Sequence, residues 1–302
     1  MPGGIHALGR GVKLGLKSIL PGPSDTRRLA RRLFTIKTLG LFREELTFKR
    51  NGFTWTGATS SSITEAIFTS DHYQDAHISV LVDWLTSNTK FQRSVIVNIG
   101  ANIGDVALPL TRTGKRVIAI EPNPATFSRL QRNVRQNNLE SKITCCAVAI
   151  SKTAGKAELI VATDPGNSEI KESGGKLGFD GVDQQRGAVE VTTARLDQLL
   201  PSIQVPVDDV ALVWSDTQGF ESQVIESGTA LWENQTPLWV EIWPKGLACH
   251  GGVELFLELS QRYFTRMIPG TGLGQPPQPV NQLRTLVDSL KNAEFTDVLL
   301  IP

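Results

Sequence analysis

The chain has few of the residues that build redox or metal frameworks. Of 302 residues three are cysteine, Cys145, Cys146 and Cys249, with no Cys-x-x-Cys among them. That spacing excludes a disulfide scaffold and a cysteine zinc site, so no metal is expected. A reducing, cytoplasmic setting is the expectation that follows. No apolar run approaches the roughly 18 residues of a membrane span, and no segment has the length and cleavage pattern of a secretory signal. There are two tyrosines and no Tyr-x-x-x-Lys. The three-glycine dinucleotide fingerprint is missing as well, which counts against a nicotinamide oxidoreductase. No internal repeat is present.

Charge is modest in sum and uneven in place. Residues 1–50 hold eleven Lys and Arg against Asp25, Glu44 and Glu45, +8 there and −7 over the rest. After Pro21-Gly22-Pro23, the stretch from Ser24 to Phe42 sets Leu29, Leu33 and Ile36 on one side of a helix, with arginines elsewhere. This basic arm has three readings: a helix docked on the domain, a peripheral contact with an anionic membrane, or attraction to nucleic acid or an acidic substrate. Residues 1–45 are read as the arm and 46–302 as the main domain, with a hairpin and entry helix over 46–93 and the core over 94–302.

The core is organised around S-V-I-V-N-I-G-A-N-I-G-D-V-A-L-P-L, residues 94–110. The β-branched run predicts a buried strand, the small residues a turn, and the sequence from Gly104 a helix. Such a turn brings free backbone N–H groups up to a ligand; the same pattern also serves tight packing.

Strands and helices then alternate. Strands are predicted at 116–120, 142–150, 156–162, 189–193, 207–215, 238–243, 263–268 and 295–301. Helices are predicted at 75–85, 124–137, 220–232, 253–262 and 280–292. Asn51-Gly52 centres a hairpin, followed by a polar loop, and 163–187 is a polar, glycine-rich excursion. The alternation implies a mostly parallel sheet covered on both faces, with ligands at the carboxyl ends of the strands. Three carboxylates fall at such ends: Glu121, about 20 residues after the glycine turn, Asp216, and Glu241. Glu121 is suited to accept the two hydroxyls of a ribose.

The ordered motifs V-N-I-G-A-N-I-G (97–104), I-E-P-N-P (120–124), N-N-L (137–139), A-V-A-I-S (147–151), L-D-Q-L-L (196–200), S-D-T-Q-G-F-E (215–221) and V-E-I (240–242) resemble the FkbM-type family of S-adenosylmethionine-dependent methyltransferases. The similarity spans roughly residues 70–268. It implies the class I, Rossmann-like fold, a seven-stranded mostly parallel sheet with helices on both faces and a reversed edge hairpin. It implies methyl transfer to a hydroxyl of a sugar or natural product, thus a small-molecule or glycan acceptor and no nucleic acid.

For the cofactor S-adenosylmethionine, the resemblance assigns Asn98, Gly100, Ala101, Asn102 and Gly104 to the methionine part. Glu121, with Pro122 and Asn123 beside it, takes the ribose, and Ala147 or Val148 the adenine edge. Asn167, Ser168 and Tyr73 are further cofactor contacts. Asp216 is the expected base, with Glu241 or a histidine as alternative; His250 and His72 are candidates on the acceptor side. Two departures stand out: Asn98 replaces the usual Asp, and Thr217-Gln218 replace Val-Glu. A nicotinamide oxidoreductase or a non-catalytic binding module on the same fold are the rival readings.

Overall fold

In the computed structural model, the residues described are 23–71, 75–171, 177–178, 185–270, 275–290 and 294–302; His72 and Tyr73 lie outside them. The chain divides into two units, Met1–Tyr73 and Gln74–Pro302.

In the first unit, helix α1 (Pro23–Gly40) precedes strands β1 (Glu45–Arg50) and β2 (Phe53–Ala58). These pair antiparallel with Arg50 opposite Phe53. Asn51 and Gly52, at φ 52° and 80°, take the two left-handed positions that a tight hairpin turn needs. The expected polar loop is instead helix α2 (Ser62–Thr69), capped by the Ser61 hydroxyl. It sets Thr64 and Ile67 inward within eight residues, too short a stretch to show clear periodicity.

The second unit runs α3 (Asp75–Ser87), β3 (Val95–Ile99), α4 (Ala107–Leu110), β4 (Arg116–Ile120), α5 (Pro124–Gln136), β5 (Ile143–Cys146), β6 (Ala149–Ile150), β7 (Gly155–Ala162), β8 (Glu169–Lys171) and β9 (Gln185–Ala194). It continues through α6 (Leu196–Ser202), β10 (Val210–Ser215), α7 (Glu221–Ser227), α8 (Thr229–Glu233), β11 (Leu238–Ile242), α9 (Pro244–Cys249), α10 (Val253–Tyr263), β12 (Arg266–Pro269), β13 (Gln278–Pro279), α11 (Leu283–Ser289) and β14 (Thr296–Ile301).

The main sheet has the order β13-β12-β14-β11-β10-β3-β4-β5 among the described residues. It is an eight-stranded mixed sheet, not a seven-stranded one. The added member is the two-residue edge strand β13, whose Gln278-Pro279 carries no strand signal. From β11 to β5 the neighbours run parallel; β14 lies antiparallel between β11 and β12, the reversed edge that the sequence pattern suggests. β3 and β10 adjoin although 110 residues lie between them in the chain, and the crevice at their carboxyl ends is the switch point where such sheets hold ligands.

Three other boundaries differ for local reasons. The 142–150 strand divides at Ala147-Val148, so that β5 ends the main sheet while β6 joins a second sheet, β6-β9-β7-β8. The helix expected from Gly104 shortens to α4, because Gly104 has φ 95°, outside helical geometry. The helix expected over 220–232 breaks at Gly228 into α7 and α8, and the Trp232 indole donates across that break to the Ile225 carbonyl at 2.9 Å.

Val97, Val213, Val240, Phe256 and Leu300 belong to one buried cluster beneath the parallel strands. Leu300 is fully buried on the reversed strand. Leu300→Ala should therefore cost about 2–5 kcal/mol of stability, seen as a lower urea midpoint at unchanged slope; a cost below ~1 kcal/mol would show that β14 contributes little to the core.

Candidate functional site

Backbone geometry builds the centre of the site. All of β3 is buried, and its last residues feed a turn whose Gly100 and Ala101 N–H groups both donate to the Ile120 carbonyl at the end of β4, at 3.0 and 2.9 Å. Gly100 (φ 76°), Asn102 (φ 47°) and Gly104 (φ 95°) take left-handed conformations. A Cβ on Gly100 would lie 1.8 Å from the Asp216 carbonyl oxygen, so this glycine is required by the approach of the β10 end. At Gly104 a Cβ would strike Leu108 and Leu130 at 2.4 and 3.0 Å. The two glycines are thus explained by protein packing before any ligand is considered.

Glu121 ties two turns together. Its Oε2 accepts from the Asn102 N–H at 3.0 Å and its Oε1 from the Asn123 N–H at 2.8 Å. Each carboxylate oxygen retains a further lone pair. Burial raises its pKa to about 7 against the pull of those two bonds. Pro122 continues the turn, and Asn123 caps α5 through the Ala125 N–H.

The Asn123 amide also lies 3.5 Å from the Ser168 hydroxyl. This brings the Asn167-Ser168 segment to the same end of the sheet as Glu121. Ala147 is exposed and Val148 buried at the break between β5 and β6, next to Cys146, whose carbonyl accepts from the Glu121 N–H at 3.1 Å. Tyr73 and His72 fall outside the described residues.

Asn98 is 1% exposed, and neither its amide nitrogen nor its amide oxygen has a partner. Buried polar atoms are almost always paired. An open donor and acceptor one residue before the end of the central strand fit a charged, polar ligand group, such as the amino-acid end of a nucleoside-linked methionine.

Around Asp216 the carboxyls crowd. The Gln218 amide nitrogen donates to Asp216 Oδ1 at 2.6 Å and to Glu241 Oε2 at 3.4 Å, from a residue held at φ 57°. The two carboxyls also share a hydrogen bond. Burial raises Asp216, while the bonds from Gln218 and Glu241 pull it back. Glu241 is pushed much further, by burial and then by the charges of Asp216, Asp297 and Glu221. Both carboxyls are thus raised by burial, and the Gln218 amide donates to the Asp216 side at the shorter distance. The β11–β14 register sets Glu241 opposite Asp297, whose pKa rises to about 7 through burial and the Asp216 charge.

Glu221, 1% exposed, accepts at Oε1 from the Thr217 N–H, the Thr217 hydroxyl and the Gly219 N–H. Burial raises its pKa to about 7 too. Glu221 and Asp297 are members of the cluster that the sequence did not select. The first stands in the quoted S-D-T-Q-G-F-E motif; the second lies on an apolar strand with no local signal.

His250 lies inside the protein, 1% exposed. Its Nε2 is 3.3 Å from Glu169 Oε2 and its ring meets Phe220 edge-on, with centroids 4.9 Å apart. Its described partners are thus Glu169 and Phe220, not Asp216 or Glu241, and Glu169 also accepts from the Gly178 N–H at 2.8 Å. The structure brings together the glycine turn, Glu121, Asn123, Ser168, Asp216 and Glu241; it does not add His250 to them.

A family model described as a methyltransferase FkbM domain matches residues 98–266. A methyltransferase of Sordaria araneosa, sdnD, is 27% identical over 175 residues, covering 50% of this chain and 68% of that protein. Among solved structures, Pyrococcus horikoshii TYW2 in complex with MeSAdo aligns with a TM-score of 0.42 at 12% identity, over 93% of this chain and 84% of that one. A 16S rRNA N2 G1207 methyltransferase of T. thermophilus aligns with a TM-score of 0.40 at 12% identity, over 85% and 50%.

The raised carboxyls fix a pH response. Their native pKa values lie above the unfolded ones, so the native state holds extra protons between about pH 4.5 and 7. The stability this confers is complete below that window and is lost as pH rises through it. The melting temperature should fall from about pH 5 to pH 7.5, and Asp297→Asn, which removes one like charge from Glu241, should shallow the fall. Parallel profiles for the two proteins would contradict the charge coupling.

Proposed function

The chain belongs to the FkbM methyltransferase family, and on that premise we propose that it transfers a methyl group from S-adenosylmethionine to a hydroxyl oxygen of a sugar or small natural-product acceptor, with Asp216 as the base. The observation that carries this reading is the buried carboxyl pair at the ends of β10 and β11, in which one amide, that of Gln218, donates to Asp216 at 2.6 Å and to Glu241 at 3.4 Å.

S-adenosylmethionine supplies an electrophilic methyl group on a positively charged sulfur. The residues present suit such a cation, because the pKa values of the Glu121 and Asp297 carboxyls are raised by burial and a nearby positive charge would favour their ionised forms. Asn98, whose buried amide oxygen and nitrogen are unpartnered, would hold the amino-acid end together with the Gly100–Gly104 turn. Glu121 would take the ribose hydroxyls with its remaining lone pairs, with Asn167 and Ser168 as further contacts, and Ala147 and Val148 would meet the adenine.

Transfer proceeds by in-line attack, so alignment of the hydroxyl is the protein's main task, a contribution of up to roughly 7–11 kcal/mol. The hydroxyl must also give up its proton. Asp216 Oδ takes it, while Gln218 and Glu241 hold the carboxylate in place by donating hydrogen bonds to it. A placed base of this kind contributes about 10²–10⁴-fold.

The test begins by finding the acceptor, through transfer of labelled methyl from S-adenosylmethionine into a cell extract and identification of the product. Asp216→Asn should then lower turnover by about 10²-fold or more and leave cofactor affinity by calorimetry within a few-fold. If binding is lost while turnover per bound cofactor survives, Asp216 is a cofactor ligand and not the base.

A further inference from the structure

Three large apolar side chains stand open to solvent among the described residues, and all three lie within nine residues of one another. Phe34 is 73% exposed, Leu41 79% and Phe42 80%. Exposed apolar groups scattered singly need no account; a cluster does.

The helix geometry defines the patch. At about 100° per residue, Arg27, Arg31 and Phe34 fall within a narrow arc on the side of α1 opposite Ile36, which is 1% exposed. Leu41 and Phe42 follow in the turn after the helix. The basic residues of this unit divide by partner. Arg28, Arg32 and Arg50 converge on the Asp71 carboxylate at 3.2, 3.0 and 3.5 Å, and Lys37 pairs with Glu65. Arg27, Arg31 and Arg43 are exposed, and their guanidinium groups figure in no hydrogen bond or ion pair among the described residues. The cations of one face of α1 are paired with Asp71 and Glu65; the other face offers guanidiniums beside bare Phe and Leu.

We propose that this outer face of α1, with Arg27, Arg31, Phe34, Leu41, Phe42 and Arg43, docks on an anionic lipid bilayer surface. Charge complementarity selects that occupant. Residues 1–73 carry +6 and the remainder −5, and the first 24 residues contain Arg10, Lys13 and Lys17 with no acid. A bilayer interface takes both parts of the patch at once: acyl chains accept the Phe and Leu side chains, and lipid headgroups accept the guanidiniums. Nucleic acid would use the charges, and could stack on a Phe ring, but offers no apolar phase for Leu41 beside both Phe side chains. No described helix is long and apolar enough to cross a membrane, so the contact is one of lying on the surface. The inference does not depend on the acceptor or on the role of Asp216.

Co-sedimentation of the full chain with vesicles tests it. Wild type should pellet with phosphatidylcholine vesicles containing 30% phosphatidylserine and stay in solution with phosphatidylcholine alone. Phe34→Ser/Leu41→Ser/Phe42→Ser should weaken binding at least about tenfold. Arg27→Glu/Arg31→Glu should weaken it by a similar factor. Both variants alter exposed side chains, and an unchanged melting temperature establishes that they remain folded. The proposal falls if wild type ignores anionic vesicles or if the triple serine variant binds them as wild type does. It also falls if wild type is a dimer that the serine variant dissolves, since the face then belongs to a second copy. Retention on RNA with no vesicle binding would assign the charge to nucleic acid and overturn it as well.

Discussion

Like charge held at close range is the constraint on which this molecule turns. Asp216, Glu241, Asp297 and Glu221 act on one another through burial and mutual repulsion, and Asp216 reaches Glu121 as well. Burying carboxylates is unfavourable unless hydrogen bonds hold them. The fold meets that condition with backbone N–H groups and an amide: Asn102 and Asn123 for Glu121, Thr217 and Gly219 for Glu221, and Gln218 for Asp216. What hydrogen bonding leaves over is a surplus of negative potential at the carboxyl ends of the central strands. A cationic ligand placed there relieves that repulsion.

The same strand ends explain the glycines. A loop rich in small residues after a strand invites the reading that a ligand needs the room. Here the occupant of that room at Gly100 is the Asp216 carbonyl, and at Gly219 it is Gly246, whose backbone a Cβ would meet at 2.4 Å. Close backbone packing sets the carboxylate at the switch point beside the glycine turn. Packing thus sets the geometry of the site: the turn that must be small to fit its neighbour also fixes where Asp216 stands.

Much of this could be read from the residues, and the failures have physical causes. The strand at 95–99, Asn51-Gly52 and the Asn123 cap each carry a local signal strong enough to survive folding unchanged. Glu121, Asp216 and Glu241 were legible because strand ends can be counted. Asp297 was not, since its place opposite Glu241 depends on β14 pairing antiparallel across a gap of more than fifty residues. Nor was the division of β5 from β6, which requires the chain to leave one sheet for another at Ala147-Val148 without a glycine or proline to mark it. Burial of His250 against Glu169 depends likewise on a contact across 81 positions. Local chemistry shows in sequence; pairing at a distance does not.

Gln218 shows how a departure from a family pattern can carry information. Were a carboxylate in its place, a third acid would stand 2.6 Å from Asp216 Oδ1, and the cluster would need a cation to hold together. An amide reverses the sign of that contact, giving N–H donors to both Asp216 and Glu241. Its reach to both demands the left-handed backbone at φ 57°, a strain of about 1 kcal/mol or more for a residue with a side chain. From that position the amide donates to both members of the pair, at the shorter distance to Asp216, so a neutral donor holds together two buried acids that a third acid would push apart.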